Sequence, residues 1–267
     1  MKKLLLASAT ALALTTGSAL AADLYRPAPV YKAPPAPVAV YNWTGCYVDG
    51  GVGYGMWDEN HFSEVGIPPV AFTETSNSAG EGWLGRVGAG CDYQIGSSWL
   101  IGAFGDYDFM DLHGDVAGLN GVVPLTADQK ETGAWGVGGR IGYLVTPALL
   151  TYFDGGYTEA RFGDSQLLSS IPPSPDSGLD LSSQTYHGWF IGGGYEYSLN
   201  SILPVSGLFW RTEYRYASYQ GRDVPVIGDP GVLVTPGAAE HIKPTVQTIT
   251  SGLVWRFNFG GPIATRD

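Results

Sequence analysis

The chain has 267 residues, 39 of them glycine; 13% are aromatic and only 15% charged, against ~25% charge in ordinary soluble domains. Its net charge of −11, more negative still once Lys2 and Lys3 are removed with a leader, excludes a nucleic-acid binder, which needs a basic stripe against phosphate. Two cysteines, Cys46 and Cys91, permit one disulfide in an oxidising compartment.

Residues 1–21 read as a secretory signal: Lys2 and Lys3, an apolar run from Leu4 to Leu14, and Ala19-Leu20-Ala21 as the small-x-small cleavage site. No later segment offers the ~20 consecutive apolar residues of a spanning helix. Residues 22–40 carry Pro27, Pro29, Pro34, Pro35 and Pro37, a composition that favours extended polyproline conformations. They are expected to form a disordered periplasmic lead-in; a contact with the cell wall or a partner is the alternative.

Eight strands are predicted next: Tyr41–Trp57, Gly82–Ile95, Trp99–Leu112, Thr132–Leu144, Leu149–Phe162, Thr185–Leu199, Ser206–Gly221 and Pro244–Phe259. Each shows period-2 alternation and is long enough for a tilted crossing of ~9–11 residues. Connections after the odd-numbered strands are long (58–81, 113–131, 163–184, 222–243), and those after the even-numbered ones are short. One rim of short turns and one of long acidic loops is the pattern of a transmembrane barrel, short on the periplasmic side. The expectation is an all-β fold over 41–259, an eight-stranded antiparallel up-and-down transmembrane β-barrel, followed by a tail at 260–267.

Alternation also assigns faces. Asp49, Arg86, Asp92, Asp106, Asp108, Arg140, Asp154, Glu196, Arg211, Glu213, Arg215 and Arg256 fall on the lumen side, where opposite charges can pair. The interior of an eight-stranded barrel is just wide enough for its own side chains, so a structural polar core is favoured over a pore. Inward glycines at 88, 90, 136, 138, 142, 192 and 194 leave room for arginine stems or water. Trp43, Trp57, Trp83, Trp99, Trp135, Trp189, Trp210 and Trp255, with Tyr93, Tyr143 and Tyr197, are expected in the two interfacial girdles. Cys46 and Cys91 fall on neighbouring strands near the periplasmic rim. An antiparallel register brings Cys46 near residue 93, so a cross-strand disulfide and two free thiols are both open.

Other chemistry is sparse. Gly80-Glu81-Gly82-Trp83-Leu84-Gly85 fits G-x-G-x-x-G but opens a strand, not a helix. His61, His113, His187 and His241 map to loops or strand ends without paired ligand spacing, and are expected to be solvated. Ser183 and His187 lie close together, but no nucleophile motif surrounds them. No catalytic residue, cofactor or metal is expected.

Tyr41-Asn42-Trp43-Thr44-Gly45-Cys46-Tyr47-Val48-Asp49-Gly50-Gly51-Val52-Gly53-Tyr54-Gly55, the Gly-Ala-Gly-Cys-Asp-Tyr-Gln run at 88–94, and the glycine-aromatic runs 137–143 and 191–197 resemble the alphaproteobacterial outer-membrane β-barrel proteins, the immunogenic, opacity-protein-like "porin family". Cys46 stands where that family usually carries Phe. The resemblance covers essentially the whole mature chain. It implies residence in the outer membrane of a Gram-negative bacterium, support of envelope integrity and external loops presented to hosts or environment. Implied partners are outer-membrane lipid, lipopolysaccharide and the barrel-assembly machinery, which reads Trp255, Phe257 and Phe259. A small or gated pore, and loop capture of haem or a host ligand, are the alternative functions.

Overall fold

The computed structural model describes residues 42–119, 125–169, 176–203, 205–228 and 234–258. The predicted signal, the Pro-rich lead-in, Phe259 and the tail lie outside the described residues. The strands are β1 (Gly45–Val65), β2 (Val70–Ala71), β3 (Ser76–Ile95), β4 (Trp99–Leu119), β5 (Leu125–Thr146), β6 (Leu149–Phe162), β7 (Ser165–Ser169), β8 (Asp176–Leu181), β9 (Gln184–Ser198), β10 (Leu208–Tyr219), β11 (Arg222–Gly228) and β12 (Ala239–Asn258).

Eight long strands pair antiparallel in the order β1-β3-β4-β5-β6-β9-β10-β12, and β12 returns to β1 along its whole length, from Gly45 opposite Asn258 to Glu64 opposite Ala239. The sheet therefore closes, and a closed sheet leaves no backbone edge to be satisfied in lipid. Short connections turn the chain at one end. Gly96 follows β3 and Gly207 precedes β10, both with positive φ (63° and 82°), where a side chain would be strained.

Side chains alternate as the period-2 pattern requires. On β5, Trp135, Val137, Ile141 and Tyr143 face outward, while Gly136, Arg140 and Gly142 face the lumen. Two belts of exposed rings mark the interfaces. Tyr93, Trp99, Tyr143, Tyr197, Trp210 and Trp255 lie at the short-turn end; Trp83, Phe109, Trp135, Tyr157 and Trp189 lie further up. Trp83 and Tyr93 are ten residues apart on β3, which at the usual rise and tilt is about 25 Å, the height of an outer-membrane apolar band.

Trp43 and Trp57 depart from the girdle expectation. Both point into the lumen and are fully buried. They share odd-residue parity with Asp49, so the alternation that puts Asp49 inside puts them inside too.

The long connections also differ from the expected loops. β1, β3, β4, β5 and β12 run on well above the upper belt, so much of 58–81, 113–131 and 222–243 is strand. There β11 pairs with β12 (Arg222 opposite Ile242) and with β8 (Val226 opposite Leu181). β8 pairs with β7, and β7 with β5 (Ala127 opposite Leu167). β7, β8 and β11 thus take the places that β6, β9 and β10 vacate, and a second ring closes above the membrane.

The interior is layered. At the periplasmic end Trp43, Tyr47, Leu100, Leu144, Leu150, Tyr152, Phe209 and Val254 form an apolar plug. Above it lies a band of charge. Beyond that a larger apolar core, including Trp57, Leu112, Phe162, Tyr186, Phe190 and Ile242, fills the upper barrel and the second ring.

Candidate functional site

The charged band is the chemically distinctive part of the molecule. Every residue of the predicted inward set points into the lumen. It resolves into two clusters, each held by arginines on neighbouring or facing strands.

In the lower cluster Arg140 grips Asp92 with two parallel bonds, Nε to Oδ1 at 2.9 Å and Nη2 to Oδ2 at 2.5 Å, and reaches Glu196 Oε1 at 2.7 Å. Arg256 bridges the same pair of acids, 2.7 Å to Asp92 Oδ2 and 2.5 Å to Glu196 Oε2. Arg211 donates to Glu196 Oε1 at 2.7 Å and to Asp49 Oδ1 at 3.0 Å. The Arg140, Arg211 and Arg256 guanidiniums all lie within 5.0 Å of the Tyr47 ring centroid, so the apolar plug supplies π faces for the charges above it.

In the upper cluster Arg86 is bidentate to Asp108 (2.6 and 2.7 Å) and reaches Glu213 at 2.7 Å. Arg215 is bidentate to Asp106 (2.8 and 2.7 Å) and bonds Glu213 at 3.0 Å. The Tyr152 hydroxyl donates to the other Glu213 oxygen at 2.8 Å. Fork-to-carboxylate geometry fixes angle as well as distance, so these bonds tie strands across the lumen in one register. Asp154 also faces inward, but neither of its carboxylate oxygens bonds a described residue.

The inward glycines seat this network, because its side chains occupy the space a Cβ would take. A Cβ on Gly102 would lie 2.0 Å from Asp92 Oδ1, one on Gly192 2.6 Å from Asp154 Oδ1, and one on Gly90 2.5 Å from the Tyr47 hydroxyl. Here glycine supplies volume on a curved wall, as in other tight barrels.

The upper core holds acids that the sequence placed in solvent. Glu59, expected in a loop, faces inward from β1 and is fully buried, as is Glu131 on β5; neither carboxylate bonds a described residue. Both lie above the upper belt. Burial pushes the Glu59 carboxyl up to about 8, helped by Asp58 and Glu240, and holds Glu131 well above the usual carboxylate range. His61 is likewise buried, against Ser78 Oγ at 3.0 Å and 3.9 Å from Glu240, so it is closed to an external ligand. Inward parity continued past Trp57 would have found Glu59 and His61.

The remaining sites are exposed. Asp111 pairs with Lys130 and with His113 at 3.0 Å, outside the lumen. His187 meets Tyr157 and Glu159 at 2.8 and 3.0 Å instead of Ser183. Cys46 and Cys91 are directly opposite in the β1–β3 register and joined by a disulfide on the outer wall, two residues from the estimated partner position 93.

A family model, "Outer membrane protein beta-barrel domain", matches residues 9–257, the whole of this closed ring included. The chain belongs to the outer membrane protein β-barrel family. As a member of that family it resides in the outer membrane of a Gram-negative cell. It is 29% identical over 268 residues to the 31 kDa outer-membrane immunogenic protein of Brucella melitensis, covering 96% of this chain and 100% of that one; the Brucella suis protein of the same name matches equally. The barrel also superimposes on OprG of Pseudomonas aeruginosa with a TM-score of 0.55 at 13% identity, over 83% of this chain and 100% of that one, a likeness of fold.

Proposed function

We propose that this outer-membrane barrel is a structural, surface-exposed protein: it braces the envelope and presents a rigid external rim, and does not conduct. The observation that carries this reading is the filled lumen. Fork-paired arginines and carboxylates span it between two apolar layers. Opening a path would expose apolar core and break buried ion pairs together. Its partners on this reading are lipid and lipopolysaccharide around the wall, the assembly machinery at Trp255, Phe257 and Phe259, and host or environmental ligands at the rim.

Two measurements test it. Purified protein in planar bilayers is expected to stay silent across ±150 mV (roughly 3.5 kcal/mol per charge), and a deletion strain to gain sensitivity to bile salts and chelators. Reproducible open steps, or a deletion strain with an unaltered envelope, overturn the reading.

A further inference from the structure

Glu64, Asp223 and His241 come from three different strands and meet on the outer face of the second ring. Their ligand atoms all lie within 4.8 Å of one another. The register explains why. Asp223 on β11 is directly opposite His241 on β12, and His241 is directly opposite Phe62 on β1. Glu64, two residues beyond Phe62 on the same face, is therefore His241's diagonal neighbour, within reach of a long side chain.

The set is prearranged. The His241 ring stacks on Phe62 (centroids 4.8 Å apart, planes at 19°). Its Nε2 edge packs over Gly221, where a Cβ would come within 2.6 Å. That leaves Nδ1 facing the acids, already 2.6 Å from Asp223 Oδ1. Glu64 is held by pairing on both sides, to Ala239 and to Ala71, and its buried Oε2 has no hydrogen-bond partner among the described residues. Lys243, two residues along β12, is exposed.

We infer that Glu64, Asp223 and His241 form a binding site for a first-row divalent transition metal at the extracellular rim. One imidazole nitrogen and two carboxylates match the borderline preference of such ions, and bonds of about 2.0–2.2 Å need each side chain to close by roughly an ångström. The nitrogen ligand selects against Ca²⁺ and Mg²⁺, which take all-oxygen cages. Three protein ligands on a rim open to the medium leave further coordination positions for water. The site is independent of the lumen and adds to the structural role.

Zinc chloride is the probe, titrated calorimetrically against full-length refolded barrel in detergent, with heat-modifiable gel migration as the folding control. The wild type is expected to bind one equivalent. Glu64→Gln, which conserves shape, and His241→Ala should each weaken binding at least tenfold, while His113→Ala leaves it unaltered. The site is refuted if a Glu64→Gln/Asp223→Asn/His241→Ala triple variant binds zinc as tightly as wild type. It is refuted equally if His113→Ala abolishes binding, or if Ca²⁺ at equal concentration displaces the zinc.

Discussion

Glu196→Gln is the sharpest probe of the lumen network. Glu196 is fully buried, and its two oxygens accept from Arg140 Nη1, Arg211 Nε and Nη2, and Arg256 Nε and Nη2. Neutralising it leaves those three guanidiniums facing Asp92 and Asp49 alone, one uncompensated positive charge in a site closed to water. Breaking a buried pair in this way costs about 3–5 kcal/mol. The glutamine carbonyl restores one neutral acceptor, about 1 kcal/mol. A net loss of about 3 kcal/mol is expected, read as the shift in urea unfolding of vesicle-inserted protein followed by tryptophan fluorescence. Adding Arg256→Met removes the surplus cation, leaves Arg140 on Asp92 and Arg211 on Asp49, and keeps an apolar stem over Tyr47, so the double variant should regain at least about 1 kcal/mol over Glu196→Gln. A single-variant loss below about 1 kcal/mol, or no recovery in the double, would show that the band is not an interdependent unit.

Glu59 makes stability depend on pH. Its carboxyl holds a proton in the fold up to about pH 8, whereas the unfolded chain releases it near 4.5, so the folded state binds more protons between those values and stability falls as pH rises through them. Glu59→Gln should match wild type near pH 4.5 and exceed it at pH 9 by an amount on the order of a few kcal/mol; parallel urea midpoints at the two pH values would disprove this. Val87, exposed on the outer wall near the middle of the span from Trp83 to Tyr93, should lose roughly 2–4 kcal/mol when changed to Arg, while Ile227→Arg on the exposed face of β11 costs under about 0.5 kcal/mol. Equal losses at both sites in vesicle unfolding would contradict the placement of the membrane band.

What the sequence disclosed, and what it hid, follows from where lipid is. Between the belts one face of each strand must be apolar, so β5, β9 and β10 show clean alternation and the arginines and carboxylates fall on the correct side. Above the upper belt neither face meets lipid. On β1, Trp57, Glu59, His61 and Ser63 point inward and Asp58, Asn60, Phe62 and Glu64 outward; with polar groups on both sides, no period-2 hydrophobic signal survives. The segment therefore looks like an acidic loop although it is strand. Trp43 and Trp57 were hidden differently: tryptophan is so common in interfacial belts that residue type overrode parity. The pairing of β7, β8 and β11 left no trace because each is short and has one partner distant in sequence, β7 with β5 and β8 with β11.

That borrowed upper wall bears on how such a surface can vary. A free-standing hairpin can be exchanged for another shape because nothing leans on it. β8, by contrast, is gripped by β7 on one side and β11 on the other, so lengthening any of them strands its neighbours' amides and carbonyls. The tip at Ile67–Pro69, fully on the outside, carries no such obligation. Grafted segments belong there, and sequence change among related chains should collect at that apex while residues 176–181 and 222–228 hold their pattern.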